Sequence, residues 1–354
     1  MQWTTTHADY ALQGLDAACD ASGELFVTGY DAEGLWLVKP MRGFAREKIA
    51  DGKKDGTRDG ASFFGATALA LDRKGGVHVA YDYGEYPKAF IRLSSRAGGA
   101  FHHVDLAKHE CAIGSTGDRA LAIALVDDAP IVAAVLIAKG RTLTLLREGA
   151  KPDAVGAIDD GPAMAVDATG ALHLAFVDDE SSRLRYGKRV KGAWKWEDVG
   201  DVRGAPFVSL ALDASNAPHL AFLVSRSKDA LGYASRTDQG WSVDIVDKEP
   251  NGGFNAKLVF DATGQPCIGH WASKSRHSGG SIAIVDTPLR LAVRTASGWA
   301  SEPVAPAFRH SAFAMSPRGA PCFVHGTASR KTGRLTLSVG EGEIAPPVKK
   351  KKKT

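Results

Sequence analysis

A pattern of four short strands recurs about seven times along the 354 residues of the chain, and it constrains the fold more than any other feature. The clearest copy spans residues 207–247, in which turn residues separate four apolar runs: VSLAL, PHLAFLV, ALGYASR and WSVDIVD. Because such a self-similar unit cannot bury its apolar faces alone, the copies must pack against one another.

The copies align on the turn between their first and second strands. That turn begins at Asp20, Asp72, Val126, Asp167, Asp213, Asp261 and Ser316. Three residues later the chain has Gly23, Gly75, Ala129, Gly170, Asn216, Gly264 and Gly319. Gly and Asn adopt a positive φ most easily, and an Asp side chain accepts hydrogen bonds from turn N–H groups. The alignment therefore predicts tight hairpin turns at equivalent places.

Four antiparallel strands in each unit of 41 to 55 residues are typical of propeller blades. We predict an all-β fold, a single seven-bladed β-propeller of four-stranded antiparallel blades spanning residues 1–340. The seventh unit has three strands, and residues 2–7 form an unmatched strand at the start of the chain. We expect that strand to complete blade seven and close the ring, which removes an exposed sheet edge. Residues 341–354 are predicted to be a disordered tail rich in Pro and Lys.

The net charge of +4 comes from the end of the chain. Residues 349–353 are five lysines, so the remainder sums to 4 − 5 = −1. A nucleic-acid-binding domain spreads its basic residues over a folded face, so we expect no specific nucleic-acid binding. The lysine tail is either solvated or a contact to anionic partners.

The remaining composition excludes several classes of protein. The longest apolar zone, residues 120–138, is interrupted by Asp127, Asp128 and Pro130, so no membrane span is predicted. No signal-peptide pattern is visible, and we expect a cytoplasmic monomer, unless a leader has been removed. No Cys pair has metal-site spacing, and no motif indicates a cofactor or metal. We expect Cys267 and Cys322 to be buried free thiols.

The phrase SLALDASNAPHLAF…LGYASRTDQGW in residues 209–241 resembles the repeats of bacterial seven-bladed propellers, loosely grouped with the sialidase-like or BNR-repeat proteins. The resemblance covers nearly the whole chain and implies the fold. Propellers of this group include lectins, glycosidases, lyases and scaffolds, so it leaves the function open. The sialidase Asp-box, Ser-x-Asp-x-Gly-x-x-Trp, is absent from the turns, and no catalytic residue is transferred from that family.

Three histidines share one register in the second strand: His78, His173 and His219. Other copies place Phe26, Val132 and two cysteines there, so we interpret the register as buried framework in which each imidazole binds groups of its own blade.

Departures from the repeat indicate a candidate ligand-binding rim on the face that carries the loops between second and third strands. Units six and seven have His270 and His325 where three other copies have Tyr81, Phe176 and Phe222, and basic loops follow both. Aromatic and cationic side chains there suit a sugar or an anionic group. The predicted rim consists of His270, Trp271, Arg276, His277, Arg309, His310, His325, Arg330, Tyr83 and Tyr86.

Two functions remain open. The first is a non-catalytic module that binds a protein or glycan through this rim. The second is a sialidase-like glycoside hydrolase or polysaccharide lyase with an asymmetric site near the central channel. The loops differ from unit to unit, which favours one asymmetric site over a multivalent lectin.

Overall fold

The computed structural model describes residues 1–52, 63–85, 88–110, 120–138, 140–203, 207–224, 230–247, 252–272, 274–278, 281–286, 288–306, 310–326 and 334–341. Within them the chain forms strands and one 3₁₀ turn, Pro40–Arg42. The first group of strands is β1 (Gln2–Ala8), β2 (Gln13–Cys19), β3 (Leu25–Tyr30), β4 (Gly34–Lys39), β5 (Ala45–Asp51), β6 (Phe63–Leu71), β7 (Val77–Glu85), β8 (Lys88–Arg96) and β9 (His102–Glu110).

The second group is β10 (Leu121–Val126), β11 (Ala129–Ile137), β12 (Arg141–Leu146), β13 (Asp153–Val166), β14 (Leu172–Asp178), β15 (Arg183–Val190), β16 (Ala193–Arg203), β17 (Ser209–Leu212), β18 (Pro218–Val224), β19 (Ala230–Thr237) and β20 (Gly240–Asp247). The third group is β21 (Phe254–Phe260), β22 (Pro266–Trp271), β23 (Lys274–Ser278), β24 (Ser281–Asp286), β25 (Pro288–Thr295), β26 (Gly298–Pro306), β27 (Ser311–Met315), β28 (Pro321–Gly326) and β29 (Leu335–Glu341). The prediction of an all-β fold is confirmed.

The strands pair antiparallel in sets of four, which we number as sheets I to VII. Sheets I, II and V have the orders β2-β3-β4-β5, β6-β7-β8-β9 and β17-β18-β19-β20, and sheets VI and VII have the orders β21-β22-β25-β26 and β27-β28-β29-β1. Strands β10 to β16 form one continuous sheet, in which β13 pairs with β12 as far as Ala157 and with β14 from Ile158. We call its two parts sheets III and IV, which share β13.

The innermost strands of successive sheets contact one another. They are β2, β6, β10, the second half of β13, β17, β21 and β27, and β27 also contacts β2. Apolar side chains fill the spaces between sheets: Leu25 and Val27 of sheet I share a buried cluster with Val324 and Leu335 of sheet VII. Cys322 belongs to the same cluster and hydrogen-bonds the half-buried Cys19, and this bond together with burial raises the pKa of Cys19. Cys267 and Cys322 are buried and free, as predicted.

The turns between first and second strands have the predicted geometry. In sheet V, Asp213 Oδ1 accepts the N–H groups of Ser215 and Ala217, both at 2.8 Å, and Asn216 has φ = 64°. The equivalent glycines of five other sheets have φ between 79° and 90°. In sheet III, Asp127 and Asp128 supply two positive φ values in a two-residue turn, which explains why Ala129 is tolerated there.

The framework histidines link each turn to the rest of its sheet. His219 Nε2 lies 3.3 Å from Asp213 Oδ2, and Tyr233 Oη hydrogen-bonds His219 Nδ1. Since a carboxylate only accepts, Nε2 carries the proton and Tyr233 donates to Nδ1. Burial lowers the pKa of His219, so the ring stays neutral. In sheet IV, Asp167, His173 and Tyr186 repeat the arrangement, and in sheet II, Asp72 and Ser95 flank His78.

The same tyrosines hold neighbouring sheets together. The ring of Tyr233 lies edge-on to Trp299 of sheet VI at 4.8 Å, and Tyr186 meets Trp241 of sheet V in the same way at 5.2 Å. At the ends of the third strands, an arginine pairs with an acid on the fourth strand of the preceding sheet. These pairs are Arg96–Glu47, Arg189–Asp153, Arg236–Glu197 and Arg294–Asp244.

The N-terminal strand completes sheet VII. Strand β1 pairs with β29 from Gln2–Glu341 to Ala8–Leu335, as the unmatched strand at the start of the sequence predicts. Trp3 also packs edge-on against Phe323 of β28, with ring centroids 5.8 Å apart.

Deleting residues 1–8 should destabilise the whole fold, because the deletion leaves one edge of β29 without a partner strand and removes the packing of Trp3 on Phe323. We expect the melting temperature measured by circular dichroism to fall by more than about 5 °C. A variant that lacks residues 345–354 is the matched control and should melt like the intact chain. An unchanged melting temperature for the first variant would contradict the role assigned to β1.

Candidate functional site

A cavity of about 130 Å³ lies where the innermost strands meet. Residues from all seven of these strands line it, including Asp16, Thr67, Ser209, Asn255 and Lys257. The volume is well below the roughly 300–1,000 Å³ of pockets that hold metabolite-sized ligands. The cavity therefore has room for water or a small ion, but not for a sugar ring and its substituents.

Asp16 is the acidic residue of this cavity among the residues that the structure describes. Its Oδ2 accepts the N–H of Leu69 from sheet II at 2.9 Å, and its Oδ1 lies 3.5 Å from Lys257 Nζ of sheet VI. Ser209 acts in the same way on the opposite side, where its Oγ accepts the N–H of Leu258 at 2.9 Å. These polar side chains therefore join sheets, and the only carboxylate in the described lining is already bound.

Asp16→Ala should lower stability by about 1–3 kcal/mol, since the Leu69 N–H loses its acceptor and Lys257 loses its counter-ion. Asp16→Asn keeps an acceptor for the N–H and should cost less. Chemical denaturation of both variants beside the wild type measures the difference. Equal stability of all three proteins would show that the bonds of Asp16 contribute nothing to the fold.

The structure places two predicted rim residues of sheet VI in the interior. His270 is 1% exposed; its Nδ1 accepts the N–H of Gly253 at 3.2 Å, and its Nε2 faces Asp247 Oδ2 at 3.6 Å. Asp247 also binds Arg290 Nε at 2.8 Å. Burial lowers the pKa of His270, which keeps it neutral. Trp271 is 9% exposed and stacks on Phe254 with ring centroids 4.5 Å apart.

Two more predicted rim residues are also buried. Tyr83 donates its hydroxyl hydrogen bond to Asp105 at 3.0 Å, and Arg92 stacks over its ring at 4.2 Å. Burial, followed by its contacts with Asp105, raises the pKa of Tyr83. His325 is 3% exposed and lies 3.4 Å from Ser338 Oγ.

The rest of the predicted rim is only partly described. His270 and His310 line the same cavity, and the carbonyl of His310 accepts the N–H of Gly326, beside His325. Arg276 and His277 occupy successive positions of β23, where the backbone alone is described. Tyr86, Arg309 and Arg330 lie outside the described residues. The structure thus brings His270, His310 and His325 to one end of sheets VI and VII, whereas Tyr83 belongs to sheet II. Ligand binding by these residues stays a prediction.

The described ranges contain no group of three or more His, Cys, Asp or Glu side chains arranged to hold a metal ion. They also contain no helix with the length and apolar character needed to span a bilayer.

Sequence reasoning missed Asp16 and Lys257. Both stand four residues before the aligned turn, where four copies have Ala68, Ala122, Ala163 and Ala312. A charged side chain at a position that otherwise takes alanine was the available signal.

The comparisons with known proteins address the fold. No protein-family model and no curated protein matches the sequence. The streptogramin B lyase structure is similar over 96% of this chain and 98% of that chain, with 10% identity and a TM-score of 0.57. A protein of unknown function from Dyadobacter fermentans is similar over 94% of both chains, with 10% identity and a TM-score of 0.52. At such identity these similarities support a β-propeller fold and no shared activity.

His325 should make stability depend on pH, because burial lowers the pKa of this residue to about 4 while its unfolded value is near 6.5. Between about pH 6.5 and pH 4 the unfolded chain binds a proton at this residue and the folded chain does not. The stability present above pH 6.5 is therefore lost as the pH falls towards 4. The loss from this residue should reach about 2 to 3 kcal/mol at pH 4.5.

His325→Phe introduces the phenylalanine that two other copies carry as Phe176 and Phe222, and it should reduce the difference in unfolding free energy between pH 7.5 and pH 4.5. Denaturant titrations at both pH values measure this difference. His102→Phe, at an exposed position of β9, is the control. An identical pH dependence for wild type and His325→Phe would refute the assignment.

Proposed function

We propose that the chain is a non-catalytic binding module that recognises a protein or glycan through the face carrying the connections between second and third strands, here called the loop face. The observation that carries the proposal is an extra hairpin, β23 and β24, inserted between the second and third strands of sheet VI. Among the residues that the structure describes, it makes sheet VI differ from the other sheets on that face. Arg276 and His277, two of the predicted ligand-binding residues, lie on its first strand.

The bonds of Asp16 favour binding over catalysis. Hydrolysis of a glycoside ordinarily uses two carboxyl groups that flank the scissile bond. The described lining of the central cavity offers Asp16, which is held by Leu69 N–H and Lys257. A free carboxyl group that could serve as general acid or base is therefore missing from the part of the cavity wall that the structure describes.

The proposed architecture is a seven-bladed propeller with sheets I to VII as its blades. Strand β13 serves as the fourth strand of one blade and the first strand of the next. The pairing of β1 with β29 and the contact of β27 with β2 support closure of the ring between sheets VII and I. Strand β29 extends to Glu341, one residue beyond the predicted boundary, so residues 342–354 are proposed to be the tail, and the protein a cytoplasmic monomer.

The alternative is a sialidase-like hydrolase or a polysaccharide lyase with an asymmetric site near the channel. The carboxylate of Asp16 and the amine of Lys257 lie together at the cavity, and this observation supports the alternative. Turnover of a sialoside, a neutral glycoside or a uronate substrate by the wild type, and loss of that turnover in Asp16→Asn, would establish the enzyme hypothesis.

Replacing residues 273–287 by a short Gly-Ser linker should abolish binding of the ligand, because the linker removes the inserted hairpin without touching β22 or β25. Arg276→Ala with His277→Ala should weaken binding at least about tenfold, which corresponds to about 1.4 kcal/mol. A glycan array finds a glycan ligand, and quantitative affinity capture finds a protein ligand.

Lys74→Ala with Lys108→Ala, at exposed positions of sheet II, is the matched control and should bind normally. Circular dichroism first establishes that every variant is folded. A ligand bound equally by the wild type and the hairpin replacement would refute the proposed face.

A further inference from the structure

A wide groove runs between sheets III and IV on the opposite face, which carries the turns between first and second strands and between third and fourth strands. We call this face the turn face. The groove has a volume of about 910 Å³. Its walls are the turn that follows β12, the turn that precedes β14 and the turn between β15 and β16. The volume is in the range of sites that hold a small ligand.

The groove is strongly basic. Its described lining contains one carboxylate, Asp153, together with five cationic side chains: Arg147, Lys151, Lys188, Arg189 and Lys191. The charge contrasts with the near-neutral body of the chain, whose formal charge without the five terminal lysines is 4 − 5 = −1. The positive charge is therefore a local property of this groove.

Two of the cations are neutralised within the protein. Lys188 Nζ lies 2.7 Å from Asp167 Oδ2, and this contact contributes to the lowered pKa of Asp167, which also accepts turn and His173 hydrogen bonds. Arg189 lies 2.8 Å from Asp153 Oδ2, which uses the carboxylate of the groove. Both acids are thus occupied by residues of sheet IV.

The other three cations have no such partner among the described residues. Arg147, Lys151 and Lys191 are exposed, and their side chains make no hydrogen bond or ion pair there. The repeat explains the case of Arg147. Its equivalents in sheets IV and V, Arg189 and Arg236, each pair with an acid on the fourth strand of the preceding sheet. For sheet III the preceding sheet is sheet II, and there Val104, three residues after Phe101, stands in the place of that acid. Arg147 therefore lacks the acidic partner that its equivalents in sheets IV and V have, and its guanidinium is available to a ligand.

An aromatic side chain lies beside Arg189 of the groove wall. Trp194 stands two residues after Gly192 of the groove wall and is half-buried. Its ring stacks on that of Trp196, with centroids 5.0 Å apart. The guanidinium of Arg189 lies 5.7 Å from the ring of Trp194. Aromatic faces beside cations suit ligands that combine apolar ring faces with anionic groups.

We propose that this groove binds a short anionic oligosaccharide through its carboxylate or sulfate groups. Arg147, Lys151 and Lys191 contact the anionic groups, and Trp194 packs against a sugar ring. The size of the groove favours a few sugar units over a long polymer track. A nucleic acid would require basic residues along an extended face. The five cations of the described lining instead lie together in one groove. The site is separate from the proposed loop-face site and does not depend on it.

The test measures binding of four probes by isothermal titration calorimetry in 50 mM salt: a sulfated heparin tetrasaccharide, trigalacturonate, neutral maltotriose and a hexaglutamate peptide. We expect one of the two anionic sugars to bind and the neutral sugar and peptide not to bind. Heparin binding identifies sulfate as the recognised group, and trigalacturonate binding identifies carboxylate. Affinity should fall at least tenfold in 500 mM salt, because free ions screen exposed charges.

The triple variant Arg147→Ala, Lys151→Ala, Lys191→Ala should lose at least tenfold in affinity. The matched control, Lys74→Ala, Lys108→Ala, Arg318→Ala, removes the same charge from exposed positions elsewhere and should bind like the wild type. Trp194→Ala, confirmed as folded by circular dichroism, should weaken sugar binding with unchanged salt dependence. Absence of binding to both anionic sugars, equal affinity of the two triple variants, or tighter binding of hexaglutamate would each overturn the proposal.

Discussion

One carboxylate at the start of a turn connects three levels of this structure. In sheet V, Oδ1 of Asp213 closes the turn and Oδ2 binds His219, which receives the hydroxyl hydrogen of Tyr233. The ring of that tyrosine packs against Trp299 of the next sheet. Hydrogen bonds lower the pKa of Asp213, whereas burial lowers that of His219, so the acid is charged and the base is neutral. A single ionised group thus fixes the turn, the second and third strands and the packing of the neighbouring sheet.

The contacts between the innermost strands follow a second rule. A side chain four residues before the turn of one sheet accepts the N–H that stands three residues before the turn of the next sheet. Asp16 does this for Leu69, and Ser209 does it for Leu258. Most copies have alanine there, which lets the innermost strands approach closely. Lys257 reaches past sheet VII to Asp16 and adds a charged contact between sheets VI and I.

The turns could be predicted from sequence because their geometry is local. Positive φ at Gly170 or Asn216 depends on a few neighbouring residues. The pairing of β1 could be predicted because the last unit lacked one strand. Side-chain direction at the ends of strands could not. His270 departed from the repeat and was assigned with Trp271 to a ligand-binding rim, but Gly253, Asp247 and Phe254 contact these two residues in the interior. Those partners come from other strands, and their register with β22 is not visible in the sequence. The groove was missed for the same reason, since its walls come from different units.

Strand β13 has a mechanical consequence. It passes from sheet III to sheet IV as fourteen residues of strand, paired with β12 along one part and with β14 along the other. The two sheets are therefore joined by continuous strand rather than by a loop, which restricts how far one can move against the other. The groove on the turn face lies between these two sheets, so we expect the separation of its walls to change little when a ligand binds.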